Sequence, residues 1–112
     1  MGARTVFSFE TEPGEFIHLY SHSGGETKMN DLAKAIDRAR PRWEDETYAL
    51  RIMVSQLIGH YWGEQTGYGL WTQHQFEESY EPTEINVRHK TVRVNDNLFT
   101  FNEFITEYAG QR

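Results

Sequence analysis

Phe16-Ile17-His18-Leu19-Tyr20-Ser21-His22-Ser23-Gly24-Gly25-Glu26-Thr27-Lys28-Met29 is the stretch in which one kind of structure gives way to another. Phe16 to Tyr20 are almost continuously apolar or aromatic, which marks a strand held centrally in a sheet. Ser21 to Gly25 break that pattern. From Met29 onward, Met29, Leu32, Ala33, Ile36 and Ala39 recur at helical spacing. Gly25 or Thr27 fits the N-cap, and Asp31 lies in the first turn, where the helix dipole favours an acid. A strand running through a glycine corner into an amphipathic helix is the first sign of a mixed fold.

Upstream, Thr5-Val6-Phe7-Ser8-Phe9 alternates apolar and polar residues, and Glu12-Pro13-Gly14-Glu15 is a turn. Residues 4–23 therefore read as a β-hairpin. Downstream, the helix is expected to stop at Arg40, because Pro41 disfavours helical dihedrals in the residue before it. Leu50, Met53, Val54, Leu57, Ile58 and Tyr61 form the clearest apolar stripe of the chain and predict a second helix. Glu44-Asp45-Glu46 stand at its start, and Gly59 and Gly63 place its end near Trp62. Residues 66–72 read as a loop entering a short strand, and residues 73–82 as an exposed loop. Glu84 to Val94 is rich in strand formers, with a kink expected at Arg88-His89-Lys90. Asn95-Asp96-Asn97 is a tight turn. Phe99 to Ala109 fits a short strand passing into a helix capped by Gly110. The order β-β-α-α-β-β-(β)-α predicts a single α+β domain over residues 1–112, with two to three helices on one face of a mostly antiparallel sheet.

The chain has 112 residues and a mass of 13.2 kDa, enough to bury a core without covalent staples. It has no cysteine, which excludes disulfides, thiolate metal sites and cysteine nucleophiles. No apolar run approaches the length of a membrane span, and Met1-Gly2-Ala3-Arg4 lacks the apolar stretch of a signal peptide. The expectation is a soluble, cytoplasmic protein. Seventeen acids against 11 bases give a formal charge of −6, which disfavours binding of long nucleic acids. The bases are clustered, however, with Lys28, Lys34, Arg38, Arg40, Arg42 and Arg51 close together and Arg88, Lys90 and Arg93 forming a second group. Such a local basic face suits a small anion or an acidic partner; equally, it is an ordinary solvated face. Seven Phe, six Tyr and three Trp are more than a chain of this size hides, so some are expected in a pocket or a homo-oligomer interface.

The leading chemical candidate is the corner Tyr20-Ser21-His22-Ser23-Gly24-Gly25-Glu26-Thr27-Lys28. A helix start presents unpaired N–H groups to an anion, and Ser21, His22, Ser23, Thr27 and Lys28 add donors or charge. The alternative is a plain strand-to-helix turn that needs glycine for its geometry. The spacing is not that of a Walker A loop. In Gly67-Tyr68-Gly69-Leu70-Trp71, Tyr68 or Trp71 offers a stacking ring beside glycine backbone; the alternative is a bulged strand with a core tyrosine. Arg42, next to Trp43, either clamps an anion or pairs with Glu44 to Glu46. His18 and His22 stand four apart, but Leu19 follows His18 and the stretch reads as a strand, so no His-Glu-x-x-His zinc helix forms among His18, His22, His60, His74 and His89, and no metal or cofactor is expected. His18, Tyr20 and His22 share one strand face, with Ile17, Leu19 and Ser21 on the other. Ser21 and His22 therefore cannot form a catalytic pair.

Leu19-Tyr20-Ser21-His22-x-Gly24-Gly25, Arg42-Trp43, Thr66-Gly67-Tyr68-Gly69 and the closing Phe-x-x-Phe-Ile from Phe101 to Ile105 resemble a group of small phage- and prophage-encoded proteins over about residues 16–105. Those proteins commonly carry Trp after the histidine, where Ser23 stands here. The resemblance implies a phage accessory protein acting in the host cytoplasm, one that interferes with host defence by sequestering a nucleotide signal or by blocking a host protein. The leading expectation is a non-enzymatic module that binds a small anionic, nucleotide-like ligand. A second is an inhibitor of a host defence protein, whose acidic segments Glu10–Glu15 and Glu77–Glu84 imitate nucleic acid. A third is a small hydrolase using His22 with a carboxylate.

Overall fold

A computed structural model describes residues 4–22, 24–74 and 81–110. Its strands are β1 (Thr5–Glu12), β2 (Glu15–Ser21), β3 (Tyr68–Trp71), β4 (Thr83–Asn86), β5 (Thr91–Val94) and β6 (Asn97–Thr100). Its α-helices are α1 (Lys28–Arg38), α2 (Glu46–Ile58) and α3 (Phe101–Tyr108). The strands form one sheet in the order β3-β2-β1-β4-β5-β6. Every neighbouring pair is antiparallel except β1 and β4, which run parallel. This is the expected α+β domain with three helices on a mostly antiparallel sheet.

The β1–β2 hairpin turns at Pro13-Gly14, where Gly14 takes φ +78°. Register places Phe7 opposite Leu19 and Phe9 opposite both Ile17 and Ile85, and Ile85 lies opposite Val92. These residues share the face that meets the helices. Phe7, Phe9, Leu19, Ile85, Val92 and Val94 form one core with Leu32, Ile36, Met53, Phe101 and Phe104. Alanines 33, 35, 39 and 49 are fully buried in that core, and their small side chains let the helices approach closely.

Several local readings are corrected. β2 is an interior strand as expected, between β3 and β1, but β1 is the more deeply buried of the two, with Thr5 to Phe9 all buried. It lies between β2 and β4 and is covered on both faces, so its polar positions Thr5 and Ser8 are enclosed too. α1 ends at Arg38, before Arg40, and Pro41 sits in a separate 3-10 turn from Arg40 to Arg42. α2 ends at Ile58, short of Trp62, because Gly59 takes φ +61° and a 3-10 segment follows. Of the α2 stripe only Met53 is fully buried; Leu50, Val54, Leu57 and Ile58 are half-buried and Tyr61 is exposed. The expected kink at Arg88-His89-Lys90 is a full hairpin turn between β4 and β5, with Lys90 at φ 58°. The C-terminal half therefore contains one strand more than the sequence clearly marks.

Capping follows the expected chemistry at the later helices. The Asp45 carboxylate accepts from the Tyr48 amide at the start of α2. Thr100 and Glu103 exchange side chain-to-backbone bonds of 3.1 and 2.9 Å at the start of α3. Asn30 on α1 donates to the carbonyls of Tyr108 and Ala109, closing the end of α3. No helix among the described residues is long and apolar enough to cross a membrane.

Candidate functional site

The sheet face turned away from the helices carries two hollows of different chemistry. Strand alternation places Val6 and Ser8 of β1, Phe16, His18 and Tyr20 of β2, and Gly69 and Trp71 of β3 on this face. Gln73 and His74, which follow β3, come back over it, so that His74 meets the His18 ring edge-on at 5.2 Å. The result is a cavity of about 230 Å³ lined by Val6, His18, Tyr20, Gly69, Leu70, Trp71, Gln73 and His74. Val6, 1% exposed, makes its apolar floor. Ser8 Oγ lies 2.8 Å from His18 Nδ1, and the Phe16 ring stacks on His18 at 5.8 Å, fixing the imidazole from two sides. Tyr20 OH lies 3.1 Å from His22 Nδ1. Trp71 remains 60% exposed at the rim.

The second hollow, about 340 Å³, lies over β1, β4, β5 and β6 among Glu10, Glu84, Asn86, Arg88 and Arg93. Its charges are largely answered within the protein. Glu10 accepts from the Gly14 amide and from Asn86 Nδ2. Arg88 donates to the Thr11 carbonyl and lies near Glu12 at 3.6 Å and Glu46 at 3.7 Å.

The residues expected to form one site are spread over several places. At the β2–α1 corner, Ser21 is buried on the helix side while His22 is exposed, as alternation requires. Ser23 lies outside the described residues. Gly24 sits close to Ser21, whose Oγ would be 2.9 Å from an added Cβ, and Gly25 is buried as the start of a 3-10 turn. Thr27 precedes Lys28 as the N-cap of α1, but its hydroxyl donates to Asp31 at 2.6 Å and caps no amide. Lys28, 1% exposed, donates to the Glu81 carbonyl at 2.9 Å and lies over the Phe7 ring. Its ammonium thus fastens α1 to the segment entering β4. Arg42 follows the far end of α1, about 16 Å along an 11-residue helix, with its guanidinium over the Tyr48 ring. Neighbouring Trp43 donates to the Ile36 carbonyl and meets the Phe101 ring edge-on at 5.1 Å. Tyr68 is on the helix face, near Tyr61, and Trp71 on the opposite face. The two rings therefore cannot grip one ligand together.

Of the expected residues, the cavity takes Tyr20 and Trp71 and adds Val6, His18, Gly69, Leu70, Gln73 and His74. The shared face of His18, Tyr20 and His22 was the signal in the sequence that points to it. The part played by residues 73 and 74 had none, because nothing local tells a polar loop to fold back across a sheet. Among the described residues, no Lys or Arg lines this cavity. Among the described residues, no three His, Asp or Glu side chains gather as a metal site, and His22 has no carboxylate partner. Comparison with known proteins finds no family model that matches the chain, and no curated protein or solved structure that matches it.

Proposed function

We propose that the protein is a non-enzymatic small-molecule binder that receives a planar ring in the cavity over β1, β2 and β3. The observation that carries this reading is the concentration of His18, Tyr20, Trp71 and His74 around the apolar floor of Val6. Indole, phenol and imidazole offer flat faces to a ring and polar edges to its substituents. At about 230 Å³ the cavity is smaller than the roughly 300–1,000 Å³ that encloses a drug-sized ligand. It therefore takes one ring system and leaves the rest of the ligand outside. Tyr20 belongs to both the cavity and the β2–α1 corner, and its hydroxyl meets His22 there. The outer part of the ligand, carrying its negative charge, runs along that side toward His22 and the amides at Gly24 and Gly25. Such a ligand is nucleotide-like. In the phage setting that the sequence motif resembles, holding it would withdraw a host signal.

Calorimetric titration with nucleoside monophosphates, cyclic nucleotides and uncharged nucleosides tests the proposal. Binding of the phosphorylated compounds, with quenching of Trp71 fluorescence, is expected. Absence of heat at about 1 mM of every compound would end it. Native mass spectrometry of protein purified from infected cells supplies an independent arm, since a retained small molecule would name the ligand.

A further inference from the structure

We propose that β3 is a dimerisation edge, where it pairs antiparallel with β3 of a second copy to join two six-stranded sheets into one. The inference stands apart from the ligand reading and needs no ligand.

Among the described residues β3 is the outermost strand on its side of the sheet, and none of them supplies a strand partner for its outward backbone groups. Edges of this kind are normally blunted by charge, proline or a bulge. Tyr68-Gly69-Leu70-Trp71 has none of these, and its register with β2 is regular. No Asp, Glu, Lys or Arg occurs anywhere from Gln65 to His74. In a chain of net charge −6, two copies repel each other unless they meet through a neutral surface, and this stretch supplies one. It is also apolar. Leu70 is 50% exposed and Trp71 more so, with exposed Tyr61 close to Tyr68 beside the strand.

Gly69 identifies the occupant. Its backbone is in the ordinary extended range, and a Cβ added to it would meet nothing within 4 Å. No contact among the described residues requires glycine here, although glycine within a strand costs about 0.5–1 kcal/mol relative to alanine. A glycine of this kind marks close approach by something else. In an antiparallel pair, directly opposed residues lie on the same face. A two-fold axis at Leu70 sets Leu70 against Leu70 of the second copy, and Gly69 against its Trp71. The bare Gly69 backbone then receives the partner's indole. The open face would read Tyr20, Gly69, Trp71, His18 continuously across the two copies, since β2 already sets Tyr20 beside Gly69 and His18 beside Trp71. An axis at Gly69 would instead face glycine with glycine and leave a gap. The opposite edge, β6, is a poorer candidate, because Asp96 adjoins it and Arg93 lies directly opposite its Leu98.

The absence of cysteine makes the test clean. Leu70→Cys is expected to form a disulfide-linked dimer under mild oxidation, because a residue on the axis of an antiparallel pair brings its Cα within about 5.5 Å of its own copy. Leu98→Cys on β6, similarly exposed, is expected to remain uncrosslinked. Sedimentation of the unaltered chain over a roughly hundredfold concentration range should show the 13.2 kDa mass doubling, and Leu70→Lys should weaken that association by at least tenfold. Circular dichroism of each reduced variant confirms its fold. A monomer at all concentrations, or crosslinking at residue 98 and not at 70, would overturn the proposal.

Discussion

The two halves of the open sheet face are built from the same alternating strands and differ in nearly everything else. Over β1, β2 and β3 the positions on this face are Val6, Ser8, His18, Tyr20, Gly69 and Trp71, with no formal charge among them. Over β4 and β5 the corresponding positions are Glu84, Asn86, Thr91 and Arg93, with Glu10 of β1 at the border. The ring-lined half is roofed by His74 and fixed internally by short-range contacts such as Ser8 with His18. The charged half is open and holds its ions in place with its own amides, carbonyls and counterions. Water already satisfies charges of that kind, so the second half gains little from a ligand. Rings around an apolar floor gain by covering it. The contrast is the physical reason for placing recognition in the first half.

The severest way to break the contrast is to place charge where none belongs. Val6→Asp buries an unpaired carboxylate and should cost about 3 kcal/mol or more of stability, read from urea unfolding. Trp71→Ala should weaken ring binding by about 1–3 kcal/mol in a calorimetric titration while leaving the monomer's secondary structure intact. Lys28→Met removes the ammonium that holds the Glu81 carbonyl and should lower stability by about 1–3 kcal/mol, with ligand affinity unchanged. Lost affinity at unchanged stability would return the ligand's charge to that lysine. Ser8→Ala removes the 2.8 Å contact to His18 Nδ1 and should cost about 1 kcal/mol by denaturation. Glu84→Gln, in the charged half, should shift stability by no more than about 0.5 kcal/mol and leave ligand titrations unaffected.

Much of the architecture was legible because it is written in local patterns. The first hairpin, the two amphipathic helices and the closing strand–helix unit follow from period, turn residues and caps. Features set by distant neighbours were not. Ser8 reads as the solvent side of its strand until β4 and the returning chain enclose β1, while Thr5 lies on the helix face with Phe7 and Phe9. The α2 stripe is the clearest apolar pattern in the sequence, yet three helices share one sheet face, and most of that stripe lies at the margin. The Arg88–Lys90 turn was hidden because a positive φ at a lysine has no compositional mark. At the site, the face shared by His18 and Tyr20 was readable from parity. The duty of Lys28 was not, because its acceptor is a backbone carbonyl far along the chain.

The parallel contact between β1 and β4 pairs Ser8 with Glu84 and Phe9 with Ile85, across most of the polypeptide. A ribosome delivers the early hairpin and both long helices well before those partners emerge. Until then one flank of the innermost strand stands open, and loop closure over that separation is entropically slow. Completion of this protein is therefore gated by its last third, and a chain cut short before β4 would leave a sticky, unsealed ribbon for proteases or neighbours to find.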